Sequence, residues 1–419
     1  MALVIRMAAL LGMSAMMAGC SWAAPAAVQT VSTPAQLQAA LLAAKGGTEI
    51  RIAPGDYGAL NLANRSFTGG RLTLIAAGKE RPAFTSVDLG KASGITLAGL
   101  QLAGPGRPVI SLAGASDIVL AGNRIGGATL NGDPWDETGT GMRVRFARHV
   151  TIYGNVFEDL QGTAFFQGSD GLIFARNTVQ HVREGLNIAS TRNLLLERNW
   201  FHDFSPKFQN NEHPDSIQFW TARETEGSAN VRIVENVMVH GQCGAIQGIF
   251  IRSERQTVRH SNFTLQRNVY YGASRHGLTA SQIDGLLEEN NVVVGSPYSE
   301  SGARRGSVSD PRCGGALVPS LRGRGSTDVV LRRNAASIIG KTGGKEVENE
   351  ILGPRGTPYA KFFAARPTGD TPPLSAFLTR PGSAYAKRGV GVLAEFPHGA
   401  PADFREVLAA ALKAHAEQL

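Results

Sequence analysis

The sequence predicts an all-β solenoid, and three observations predict it. Two apolar residues two apart, followed three positions later by a marker that is usually Asn, recur eleven times, as in Ile118-Val119-Leu120-Ala121-Gly122-Asn123. The markers are Gly55, Ala77, Leu100, Asn123, Asn155, Asn177, Asn199, Asn236, Asn268, Asn290 and Asn334, with Asn291 fitting nearly as well as Asn290. Their basic step is 22 or 23 residues, so longer intervals are that step plus an insertion, and the final interval of 44 has room for two coils. A fixed repeat of strand plus turn is the signature of stacked units that bury one continuous core. Apolar residues before each marker alternate with polar ones, the period of a strand rather than of a helix. Finally, 50 glycines suit a chain that turns several times per coil.

Residues 1–24 read as an export signal: Arg6, then an apolar run from Met7 to Ala18, too short to span a membrane. Met17-Ala18-Gly19-Cys20 resembles a bacterial lipoprotein box, which would make lipidated Cys20 the first mature residue and provide a membrane anchor. Plain cleavage near Ala23 or Ala24 is the alternative. Either route leads to the periplasm, the outer membrane or the medium. Such compartments permit a disulfide between Cys243 and Cys313, but a separation of about two coils exceeds the reach of a bridge, so free thiols are expected.

Next comes a helix over 33–41, with Thr33 as N-cap and Pro34 in the first turn. The segment 49–57 opens the first coil, and the repeat fills 30–345. An Asn at each turn tolerates the left-handed conformation. The region 346–419 loses the repeat: 354–381 is rich in Pro and reads as an arm along the solenoid. Residues 401–419 read as an amphipathic helix, with Phe404, Val407, Leu408, Ala411 and Leu412 on one side, capping the last coil.

The repeat, the helix at 33–41 and the first coil together resemble the right-handed parallel β-helix proteins of the pectate lyase type. The resemblance implies about 10–12 coils, an N-terminal capping helix, and a C-terminal arm plus helix. It implies little about reaction, because this fold carries lyases, epimerases, hydrolases and adhesins.

Insertions at 126–141, 205–212, 222–230, 253–261 and 296–316 mark the functional face. Aligning the buried pairs Met142/Val144, Ala164/Phe166, Leu186/Ile188, Ile217/Phe219, Ile249/Ile251 and Leu278/Ala280 gives two columns. The outward one holds Arg145, Gln167, Ala189, Trp220, Arg252 and Ser281. The one preceding each strand holds Thr140, Gly162, Glu184, Asp215, Gln247 and His276, so Glu184 should stack on Asp215.

These columns suit a uronate polymer. Breaking it by elimination needs a positive charge on the carboxylate and a base for the C5 proton. Arg252 supplies the charge. His213 is the first candidate base and His276 the second, with Asp215 orienting His213. Trp220, Gln218, Arg143, Arg145, Asn187 and Arg275 are expected to bind sugar. Glu184, Asp215 and Glu212 are candidate calcium ligands. The bland readings are a loop residue for His213, turn caps for Asp215 and Glu184, and a solvated face for Arg252. Asp133-Pro134-Trp135-Asp136-Glu137 reads as a polar turn before a calcium loop. His181, His202 and His240 read as structural residues at equivalent turns.

Arg275-His276-Gly277 is similar to a short motif of alginate and chondroitin lyases. Glu212-His213-Pro214-Asp215 is similar to the Asp-Pro-His-Asp motif of mannuronan C5-epimerases, with a different order. The motifs of polygalacturonases are absent, although a stacked Glu184/Asp215 pair would match the carboxylate spacing of a retaining glycosidase. A net charge of +8 agrees with a polyanionic partner, and no nucleic-acid-binding motif is present. The expectation is an exported, monomeric enzyme that acts on an acidic polysaccharide by β-elimination. The alternatives are a C5-epimerase, a glycoside hydrolase, or a carbohydrate-binding or adhesive solenoid without catalysis.

Overall fold

A computed structural model describes residues 27–207, 212, 214–240, 246–255, 257–296, 317–340, 342–353, 356–365, 367–369, 371–398 and 403–418. The signal segment, His213 and all three cysteines lie outside the described residues.

The strand preceding each marker stacks in parallel on its equivalent in the next coil, and these eleven, with Ala27–Val31 and Lys345–Val347 at the two ends, form the thirteen-stranded first face. Two further faces complete each coil and together form a nineteen-stranded sheet. In Val156–Gln167 and Thr178–Ala189 a single twelve-residue strand bends across both. Inward residues of successive coils stack in files, such as Ile118, Val150, Leu172, Leu194, Val231 and Phe263, and fill the interior.

The turn after the first face is held by an asparagine ladder. Asn123, Asn155, Asn177, Asn199, Asn236, Asn268, Asn291 and Asn334 each donate Nδ2 to the Oδ1 of the next, the last of them to Asn349, at 2.8–3.1 Å. Each main-chain N–H donates to the same oxygen, and each Nδ2 also reaches a carbonyl of the preceding coil, as Asn177 does to Ile152 at 3.0 Å. Both amide protons and both lone pairs of Asn177 are thereby used, which permits its near-complete burial. The left-handed residue is the one before each asparagine: Gly154, Arg176, Arg198, Glu235, Arg267, Asn290 and Arg333 all have φ between 52° and 63°.

Three readings of the register are corrected. Ile50 pairs with Leu74, so the first marker is Ala53 and not Gly55. Asn291 carries the ladder, and Asn290 is its left-handed neighbour. The long last interval holds one coil, because Ile283–Glu289 pairs directly with Thr327–Arg332.

At the N-terminus the helix Pro34–Ala43 forms with Thr33 accepting from the Gln36 N–H at 3.2 Å. A strand that the repeat does not announce, Ala27–Val31, pairs ahead of Thr48–Ile52. The arm lies along the second face, where Tyr359, Phe362, Phe363, Phe377 and Phe396 pack on Trp200, Val237, Tyr271 and Val292. The helix Phe404–Gln418 does not cap the last coil. Phe404, Leu408, Ala411 and Leu412 cover Ile75, Ala98, Val119 and Ala121 on the first face, far toward the other end. A polar cluster fixes that position: His415 is 2.6 Å from Asp117 and 3.0 Å from Thr151, and Arg71 binds Asp117. No described helix is long and apolar enough to cross a membrane.

Candidate functional site

The third face carries the site. Its strands alternate, so between the buried pairs one residue per coil points outward: Arg143, Phe165, Asn187, Gln218, Phe250, Thr279 and Arg322 stack in that order. The second outward column begins Arg145, Gln167, Ala189, in the expected register. Asp215 pairs with Gln247, and Glu184 acts on Asp215 electrostatically, so that column also stacks as expected.

Toward the C-terminal end this face opens into a groove of about 1090 Å³, lined by Phe250, Arg252, Glu254, Arg275, His276 and Arg322 among others. Arg324 adds a fourth guanidinium, and Val318 and Ile338, 42% and 38% exposed, form an apolar lip. His276 stands half-buried between them. Its ring meets Phe250 edge to face at 5.0 Å, and its Nδ1 shares a 3.0 Å hydrogen bond with the Thr279 hydroxyl. Burial, then the charges of Arg322 and Arg275, lower its pKa below the ordinary imidazole value. The neutral ring is the form that accepts a proton.

Arg252 is held from behind. Its N–H donates to Phe219 O at 3.2 Å, and its carbonyl faces His260 Nε2 at 3.3 Å. His260 is fully buried and accepts from the Ser228 N–H at 3.1 Å on Nδ1. Burial lowers its pKa to about 4, against a smaller opposing effect of the Arg252 carbonyl, so it is a neutral scaffold residue. Glu254 is turned to the chain, accepting from the Thr221 N–H at 2.7 Å.

The groove unites three of the expected residues, Arg252, Arg275 and His276. Gln218 and Trp220 lie on the adjoining coil. Trp220 leans back over the small Ala189 to reach Phe165, ring centroids 5.8 Å apart. Arg143, Arg145 and Asn187 share the face but stand coils away.

The three candidate calcium ligands stand in different surroundings. Glu212 faces Arg183 at 3.4 Å and accepts from the Lys207 N–H at 2.6 Å. Asp215 is 4% exposed, with Oδ1 unpartnered; burial, then Glu184, raise its pKa well above the usual carboxylate range. Among the described residues no group of His, Cys, Asp and Glu is placed to hold a metal ion. Residues 131–136 fold on themselves as a polar turn, with Asp133 and Trp135 N–H groups donating to Asn131 and Asp133 side chains. His181 pairs in register with Asp203, so His202 stands one residue before the equivalent position rather than at it.

Arg322, Arg324 and Phe250 were not among the expected site residues. Phe250 was readable, since it lies between the buried Ile249 and Ile251. Arg322 follows the 296–316 insertion, which breaks the spacing that would place it.

Residues 86–208 match the family model described as "Right handed beta helix region". No curated protein matches the chain by sequence. Among solved structures, a rhamnogalacturonan lyase has a TM-score of 0.48 at 12% identity, covering 88% of this chain and 100% of that one. The surface adhesin PfbA of Streptococcus pneumoniae has 0.45 at 12%, covering 75% and 91%. The PL6 family alginate lyase AlyGC has 0.44 at 14%, covering 91% of this chain and 58% of its own. At such identities none of their activities is carried over. On its own stacked topology, together with the match over residues 86–208, the chain is a right-handed parallel β-helix.

Proposed function

We propose that the groove binds an acidic polysaccharide outside the cytoplasm and breaks it by β-elimination. The observation that carries this reading is an imidazole kept neutral beside Arg275 and Arg322, in an open groove with Arg252 and Arg324. A guanidinium on the uronate carboxylate draws charge from C5 and makes its proton removable. His276 takes that proton, the electron pair forms the C4–C5 double bond, and the C4–O bond breaks with the proton passing to the leaving oxygen. His276 acts as base in this scheme, while His213 lies outside the described residues. No step is routed through calcium.

An absorbance screen against polygalacturonate, alginate and other acidic polysaccharides, with and without chelator, tests this. The expected result is an ultraviolet-absorbing unsaturated product. Replacing His276 by Ala should lower its rate by about 10²–10⁴-fold without changing the circular dichroism spectrum. The rate should fall on acidification only below pH 6.5, because the His276 pKa is lowered from that ordinary value. Reducing ends without absorbance would indicate hydrolysis, altered configuration without shortening an epimerase, and binding without change a lectin-like solenoid. Each would overturn elimination.

A further inference from the structure

Phe146 has no structural justification of the usual kind. It follows Arg145 at the corner where the third face ends and is 63% exposed, so it contributes little to the core. It also sits at φ 53°, a conformation costly for a bulky side chain. Its equivalents in neighbouring coils are Lys91, Gly114, Gly168 and Ser190, all left-handed and none aromatic. The edge of the ring abuts Gly168, where a Cβ would stand 2.6 Å from it, and the Arg145 guanidinium covers one face at 5.5 Å from the centroid. The Nε of Arg145 is buried without a partner. Arg143 is exposed beside it, and the Phe165–Trp220 pair continues the aromatic surface toward the groove.

We propose that Phe146, with Arg143 and Arg145, forms a distal subsite for the sugar chain whose reacting segment occupies the groove. This rests on the function proposed above. The occupant is argued from continuity: the outward column runs without a break from Arg143 to Arg322 on one face, bearing cations at both ends. Six stacking steps separate those ends, roughly 29 Å at the spacing of paired strands. A short oligosaccharide in the groove cannot reach Phe146, whereas a polymer lying along the axis can. The exposed ring offers its free side to the apolar face of a pyranose, and the two guanidiniums meet flanking carboxylates.

The test is affinity electrophoresis of the whole protein in gels cast with polygalacturonate or alginate, together with steady-state rates on a uronate trisaccharide. Wild type should bind the polymer at least tenfold more tightly than the trisaccharide. Phe146→Ala should weaken polymer binding about five- to tenfold, leave kcat on trisaccharide unchanged, and be rescued by Phe146→Trp. Unchanged polymer affinity in Phe146→Ala overturns the distal subsite and leaves the groove reading standing. Failure of wild type to bind either polymer overturns both. A concentration-dependent dimer lost in Phe146→Ala would assign the ring to a second copy of this chain and overturn the sugar assignment.

Discussion

Asn177 shows what one residue does when every hydrogen-bonding capacity is used. Its Oδ1 accepts from the main-chain N–H and the Nδ2 of Asn155, while its Nδ2 serves Asn199 and the Ile152 carbonyl. An apolar replacement of similar size is therefore not benign in this core. Asn177→Leu would strand two donors on Asn155, the Ile152 carbonyl and part of Asn199. At about 1–3 kcal/mol per orphaned group, a loss of at least ~3 kcal/mol is expected, read as a lower midpoint in urea unfolding. A midpoint equal to wild type would show that water or relaxation replaces the ladder. The ladder was half legible in the sequence. The spacing of the asparagines revealed the turn, but left-handedness was expected of Asn itself and belongs to its predecessor. Arg176, Arg198 and Arg267 adopt it although nothing in their side chains announces it. What holds them is the pairing of the coils on either side, which is a non-local property.

The C-terminal helix repeats that lesson at the scale of an element. Its apolar side was readable from Phe404, Leu408, Ala411 and Leu412, yet its seat was not. A clue lay elsewhere in the chain: the strand Leu72–Ala76 is buried on both sides, whereas Arg192–Glu197 has exposed Arg192 and Asn193 and a half-exposed Leu195. The outer residues of Leu72–Ala76 are Thr73 and Ile75, neither of them charged, and such a first-face strand is covered. The helix also explains which residue occupies the left-handed position beneath it. At Gly99 a Cβ would come within 2.8 Å of the Phe404 ring, and at Gly154 within 2.5 Å of Val407. Uncovered coils use Arg, Glu or Asn there instead. Gly99→Arg, which copies Arg176, is therefore expected to leave the solenoid intact and lift the helix. Limited proteolysis should then release a C-terminal fragment at least tenfold faster, while the far-ultraviolet spectrum keeps its β signature. Protection equal to wild type would mean that the His415–Asp117 cluster alone holds the helix. The site elements follow the same division. Arg252 and His276 fell in register because the coils from Thr140 to Ala280 preserve the alternation, and Arg322 was lost behind an insertion.

At the scale of the whole molecule, a long apolar interior fixes how stability depends on pH. Burial pushes the Glu235 and Glu289 carboxyls up, but their arginine partners outweigh it and hold them below the usual range. What they contribute is therefore lost only as pH falls below their ordinary value near 4.5. His260 is buried neutral with its pKa lowered to about 4, so the unfolded chain binds a proton that the folded chain refuses between about 6.5 and 4, and stability falls with acidification there. Glu288 works in the opposite direction. It points inward between Leu265 and Leu331, is 1% exposed with both oxygens unpartnered, and burial raises its pKa to about 8. The folded chain keeps this proton while the unfolded chain releases it near 4.5, so stability is full below that value and declines as pH rises to about 8. Asp215, raised as well, adds to the same decline. The histidine and the glutamate offset one another between about 4.5 and 6.5, and above 6.5 only the carboxyls act. Stability should therefore fall less steeply with rising pH in mild acid, where His260 opposes the carboxyls, than between pH 6.5 and 8, where each retained proton costs roughly 1.4 kcal/mol per pH unit. Replacing Glu288 by Leu, the residue of the coils on either side, removes one such proton and should recover about 2 kcal/mol between pH 6.5 and 8. Urea unfolding of both proteins across that range measures the difference. Parallel curves would mean that Glu288 is ionised in the folded chain, with water or a cation reaching it inside the helix.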